Sequence, residues 1–170
     1  MARRGWHRES ARHSLAARGV GTKYPRKAQF SYTLYTLQKP RSDIKKLKEF
    51  ILKKFGGEDF QLDWVLNRDL SKNDVERLFR DGIVRDGKDF ILRGKKGSSC
   101  HENSERLALA DDNIDIYTGL ALSDDGMWRV HTWVYDNKKG KFIETTVKRE
   151  KYFGYKLNEG EREDFIFQNW

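Results

Sequence analysis

The sequence predicts an α+β fold, and three observations carry that prediction. Amphipathic helical periods occupy the first half and the segment after Cys100, runs rich in β-formers fill Ile114 to Lys148, and short Asp/Gly turns separate those runs. The expected architecture is an antiparallel sheet with a helix bearing Cys100 packed on it, preceded by a smaller α/β segment and a flexible basic arm.

Taken in chain order, Trp6 to Arg18 predicts a short helix stopped at Gly19 and Gly21, with Arg4, Arg8 and Arg12 four residues apart on one side. Gln29 to Gln38 alternates as a strand and ends before Pro40. Ser42 to Lys54 places Ile44, Leu47, Phe50 and Ile51 at helical spacing, with Gly56 and Gly57 as terminators. Phe60 to Leu66 is expected as a strand, Ser71 to Arg80 as a helix capped by Ser71, and Asp89 to Arg93 as a short strand. Gly94 to Ser99 is a loop by composition, and Asn103 to Ala110 a helix. Strands are then expected over Ile114 to Ser123, Met127 to Asp136 and Lys141 to Lys148, joined by turns at Asp124-Asp125-Gly126 and Asp136 to Gly140. Phe165, Ile166, Phe167 and Trp170 are read as a last docking strand or short helix.

Charge divides the chain. Residues 1 to 27 hold eight cations (Arg3, Arg4, Arg8, Arg12, Arg18, Lys23, Arg26, Lys27) against Glu9, a net +7 of the +8 carried by all 170 residues, which leaves +1 for residues 28 to 170. Affinity for nucleic acid scales with the cations brought to phosphate, so such a partner is expected at the arm and not at the body. We therefore divide the chain into a basic arm, 1 to 27, and one α+β domain, 28 to 170. No run approaches the ~18 apolar residues of a membrane helix, and no apolar stretch follows the N-terminal cations as in a signal peptide. No membrane partner and a cytoplasmic location (the host's cytoplasm for a viral protein) are the expectation. A single cysteine excludes an internal disulfide and a CxxC zinc site.

The chemistry-bearing residues lie in the second half, in the order Cys100, His131, Glu144. A thiol at a helix N-terminus feels the positive end of the helix dipole, which favours the thiolate. An imidazole can take the thiol proton and return it to a leaving group, and a carboxylate behind the imidazole fixes its tautomer. His131 and Glu144 share a sheet face only if their hairpin pairs with an odd sum of residue numbers. Asn137 to Gly140 as the loop, with Asp136 opposite Lys141, meets that demand, whereas a five-residue loop turns Glu144 away. Against this stands the ordinary fate of a lone cysteine, burial as a small apolar filler. His101 is a competing base, but neighbours on a helix diverge by ~100°. Cys100, His101 and His131 have irregular spacing for zinc, so no metal and no cofactor are expected.

These residues resemble a known group. The Cys-led helix, the strand His131-Thr132-Trp133-Val134 and the strand Glu144-Thr145-Thr146 look like the core of the transglutaminase-like group of papain-like cysteine enzymes. The strings GLALSDDGMWRVHTWV, IETT and YFGY also resemble a group of small bacterial, archaeal and viral proteins. The first resemblance covers about Gly97 to Val147, within a core of about 94 to 157, and departs from the group in having Glu where an Asp is usual. It implies Cys100 as nucleophile, His131 as base and Glu144 as orienter in acyl transfer at an amide or isopeptide carbonyl, with a protein or peptide as substrate. The alternative is a non-catalytic protein that binds nucleic acid or a host factor through its arm.

Overall fold

Ile44, Leu47 and Ile51 recur at the spacing of one helical face, and all three are fully buried on α1 (Ser42–Phe55). The computed structural model describes residues 40–59, 61–94 and 99–168. The eight arm cations, the helix expected over Trp6 to Arg18 and the strand expected over Gln29 to Gln38 lie outside those residues.

Leu62, Val65, Leu66 and Leu70 continue the helical period, and this segment is α2 (Leu62–Asp69), not the strand expected over Phe60 to Leu66. Trp64 and Val65 lend the run β-propensity, but only a helix turns all four apolar side chains onto one face, and burial decides. In α3 (Lys72–Asp81), Ser71 and Asp74 form a reciprocal capping box, and Val75 and Leu78 are buried. A short pair follows, β1 (Ile83–Asp86) and β2 (Phe90–Leu92), joined by a single 3₁₀ turn. Next come α4 (Cys100–Ala110), β3 (Ile114–Leu122), β4 (Trp128–Asp136), β5 (Lys141–Glu144), β6 (Lys151–Lys156) and α5 (Glu159–Gln168).

The six strands form one sheet in the order β1-β6-β3-β4-β5-β2. Every pair is antiparallel except β2 with β5, so the sheet is mixed and not the purely antiparallel one expected. The parallel pair arises because β2 must run toward the start of α4 and meets β5 with Leu92 beside Glu144. β5 also ends at Glu144, four residues short of the expected Lys148.

Alternation sends the two faces of the sheet into two cores. Ile116, Leu120, Val134, Ile143 and Phe153 meet α1, α2, α3 and Ala108 of α4 on one side. Phe90, Ala121, Trp133, Phe142 and Tyr152 meet on the other. Phe90 of β2 and Tyr152 of β6 stack with ring centroids 3.7 Å apart, although β3, β4 and β5 lie between their strands. A flat sheet separates such strands by roughly 19 Å at ~4.8 Å per step, so the sheet curls around this second, aromatic core.

Two glycines permit the curl. Gly119 pairs with His131 on one side and Gly154 on the other, a row crossing β4, β3 and β6. A Cβ on Gly119, which has φ +157°, would meet the Phe153 carbonyl and the Gly154 Cα at 2.5 Å. One on Gly154 would meet the Thr118 carbonyl and the Trp133 ring at 2.5 Å. Backbone atoms cannot step aside for a methyl group as a flexible side chain can, so Gly119→Ala is expected to cost about 2 kcal/mol, the middle of the overpacking range. The urea midpoint measures it, and an unchanged midpoint counts against the close approach.

Candidate active site

The register of the β4–β5 hairpin is the one that face-sharing requires: Asp136 lies opposite Lys141 and Val134 opposite Ile143. His131, Trp133 and Glu144 therefore point into the aromatic core. His131 is 3 % exposed and Glu144 0 %, and His131 Nε2 stands 2.8 Å from Glu144 Oε2.

Both oxygens of Glu144 are fully engaged. Oε2 also accepts from the Tyr152 hydroxyl at 2.7 Å, while Oε1 accepts from the Thr146 N–H at 2.7 Å and the Thr146 hydroxyl at 2.8 Å. Burial raises the carboxyl's pKa, but the bond and charge of His131, with Tyr152 and Thr146 behind them, outweigh it and hold the group below its ordinary value. A carboxylate with four donors around it is an oriented anion that cannot turn away from the imidazole.

The β4–β5 ladder ends at the pair Val134–Ile143, so β4 has no ladder partner on that side from Trp128 to Trp133, and α4 packs against β4. The Arg93 N–H, just past β2, donates to the Glu144 carbonyl at 2.8 Å, and the first turn of α4 is held to the residue after β5 by the Asn103 side-chain amide, which donates to the Thr145 carbonyl at 3.0 Å. Cys100, the first residue of α4, is partly exposed; its sulfur lies 3.3 Å from His101 Nδ1 and near enough to the His131 imidazole to be acted on by it. With Nε2 of His131 committed to Glu144, Nδ1 is the ring atom left for the sulfur.

The electrostatics follow from this placement. Desolvation raises the Cys100 pKa, but the hydrogen bonds from His101 and His131 and their charge outweigh it, and the thiol is lowered to about 5. Desolvation likewise lowers His131, and the bonds to Cys100 and Glu144 raise it above its ordinary value. The two shifts run in the directions that favour a thiolate beside an imidazolium, with the carboxylate behind. Tyr152 is raised by burial and by Glu144, so its hydroxyl keeps its proton and remains a donor.

The structure thus brings Cys100, His131 and Glu144 together, with His131 bonded to Glu144 and acting on the Cys100 thiol. It adds Tyr152 and Thr146 as partners of Glu144, and brings His101, the competing base that helix geometry argued against, onto the thiol. Tyr152 is carried by β6, for which no strand was expected. Thr146 follows Glu144 by two residues, and its hydroxyl and N–H both turn back on the carboxylate, an Asx-like local bond whose signal is the Glu-x-Thr spacing. His101 reaches the thiol despite following it directly. Side chains at the start of a helix tilt toward its N-terminus, where no preceding turn blocks them. Among the described residues, no group of three or more His, Cys, Asp or Glu side chains is arranged to hold a metal ion. No helix among them is long and apolar enough to cross a membrane.

Compared with protein-family models, curated proteins and solved structures, the chain matches none.

Proposed function

We propose that this protein is a cysteine-nucleophile acyl-transfer enzyme acting on an amide or isopeptide carbonyl, as the resemblance to the transglutaminase-like group implies. The observation that carries the reading is the buried His131–Glu144 bond, with the Cys100 thiol on the same imidazole. A purely structural cysteine has no use for an oriented, charged base behind it, and burying such a base is costly.

In the proposed reaction the Cys100 thiolate attacks the carbonyl carbon, forming a C–S bond while the carbonyl electron pair moves to oxygen. Ser99, at the head of α4, supplies no side-chain cap, which leaves helix-end N–H groups as donors for that oxyanion. Collapse of the intermediate breaks the C–N bond, and the His131 imidazolium passes its proton to the departing amine. Water or a second amine then adds to the thioester, His131 takes the proton from it, and Cys100 leaves again as thiolate. Glu144 stabilises the imidazolium throughout and keeps its nitrogen aimed at the sulfur. Tyr152 and Thr146 act as positioning residues through Glu144.

The pH dependence of alkylation tests the reading without a known substrate. A group lowered to about 5 is thiolate at every pH above that value, so labelling of native Cys100 by iodoacetamide should rise through a midpoint near pH 5 and level off above it. The urea-unfolded chain should rise only through ~8.5. A native midpoint at 8 to 9 would falsify the activated nucleophile.

A further inference from the structure

A cleft of about 460 Å³ opens beside the proposed nucleophile, between the α2–α3 junction, α5 and the sheet. Its floor includes Gly119, the register partner of His131, and Val130, which alternation turns to the sheet face opposite the His131 side chain. Its near wall is His101, which touches the Cys100 sulfur at 3.3 Å and stacks on Phe165. A side chain seated there is separated from Sγ by one imidazole.

The lining has two characters. Leu70, Val130 and Phe165 give it an apolar body, and four carboxylates, Asp69, Asp74, Glu161 and Asp164, stand around it. None of the described residues that line it is Lys or Arg. Asp69 is paired with Arg68, and Glu161 with Arg77. Asp74 accepts only from uncharged donors, the Ser71 N–H and the Tyr155 hydroxyl, each at 2.7 Å. Asp164 is exposed and has no ion-pair partner among the described residues. Two negative charges are thus left uncompensated beside an apolar wall, in a domain whose overall charge is close to neutral. That combination fits a group with an apolar stem and a cationic head, and lysine and arginine side chains are built that way.

We propose that this cleft is the specificity pocket of the cysteine site and seats a lysine or arginine side chain of the acyl-donor peptide, adjacent to the carbonyl that Cys100 attacks. The cation is held for recognition and takes no part in bond exchange. The proposal rests on Cys100 being the nucleophile.

The test uses the full chain and three short acetyl-aminoacyl chloromethyl ketones carrying lysine, norleucine or glutamate. Each alkylates through attack of the Cys100 thiolate on the chloromethyl carbon, which forms a thioether and releases chloride. The lysine probe should react about tenfold faster than the norleucine probe at low salt, and the glutamate probe slower than both, as one charge-assisted contact implies. The lysine-to-norleucine ratio should fall toward unity in Asp164→Lys, and in the unmodified protein at ~1 M salt, where the screening length is ~3 Å. Equal rates for lysine and norleucine, with iodoacetamide labelling still fast at pH 6, overturn the pocket and leave the nucleophile standing. Slow iodoacetamide labelling removes the nucleophile and the pocket with it.

Discussion

Replacing His131 with alanine should slow iodoacetamide labelling of native Cys100 at pH 6 about tenfold and move the midpoint of its pH profile from near 5 toward 8.5. The size follows from two opposed effects. With the thiol lowered to about 5, roughly nine-tenths of it is thiolate at pH 6. At an ordinary value of ~8.5 only ~0.3 % would be, a loss of about 300-fold. A more basic thiolate is also intrinsically more reactive, and a Brønsted slope of ~0.45 over ~3.5 units returns a factor of about 40. The rate therefore reports the loss weakly and the midpoint reports it strongly, so the full profile is the measurement to make. A midpoint that stays near 5 in His131→Ala assigns the activation to His101, and the proposed division of roles fails.

Removing Glu144 should produce the largest change in stability. Four donors converge on its carboxylate, which is 0 % exposed, and Glu144→Ala leaves the His131 Nε2, the Tyr152 hydroxyl and both groups of Thr146 without that acceptor in buried surroundings. Breaking one side of such a buried network costs about 3–5 kcal/mol, out of total stabilities of about 5–15 kcal/mol. Urea unfolding should show that drop, while Cys100→Ala, at a partly exposed helix start, should cost about 1 kcal/mol or less. The pH dependence gives a second reading. The folded-state pKa of Glu144 lies below its ordinary 4.5. On acidification the unfolded chain takes up the proton first, so the contribution is complete above about 4.5 and is lost as pH falls through the folded value. That acid limb should be present in the native protein and shallower in Glu144→Ala. Equal stabilities for native protein and variant would remove the network from the account.

What the sequence made legible was local. The helical periods of Ser42 to Lys54 and Ser71 to Arg80, and the β3 and β4 strands, each carry a pattern within one window, and the even loop between Asp136 and Lys141 could be tested on paper. The failures share a cause. Leu62 to Asp69 has β-rich residues, and its helical face is decided by burial against α1. β1 and β6 pair over about 70 residues of chain, and their registers, Ile83 with Gly154 and Asp86 with Lys151, leave no trace in either segment alone. Tyr152 was illegible as a site residue for the same reason. Its alternation marks it as facing one side of a strand, but only the curl of the sheet brings that side to Glu144. The parallel pairing of β2 with β5 depends in turn on where the chain must go to begin α4.

The order of the site along the chain has a consequence for the life of the molecule before it is complete. Every described group that gives the Cys100 sulfur its unusual acidity, apart from the adjacent His101, comes later in the chain: His131 directly, and Glu144, Thr146 and Tyr152 behind it. At synthesis rates of about 5–20 residues per second, some 3 to 10 s separate the addition of residue 100 from that of residue 152. Until those later groups have been added and have folded against it, the sulfur lacks His131 and the carboxylate behind it, and is far less readily ionised than in the finished domain. Closure of β6 beside β3 is the event that completes the network, and the polypeptide emerging from the ribosome passes its most exposed stage before the sulfur becomes reactive.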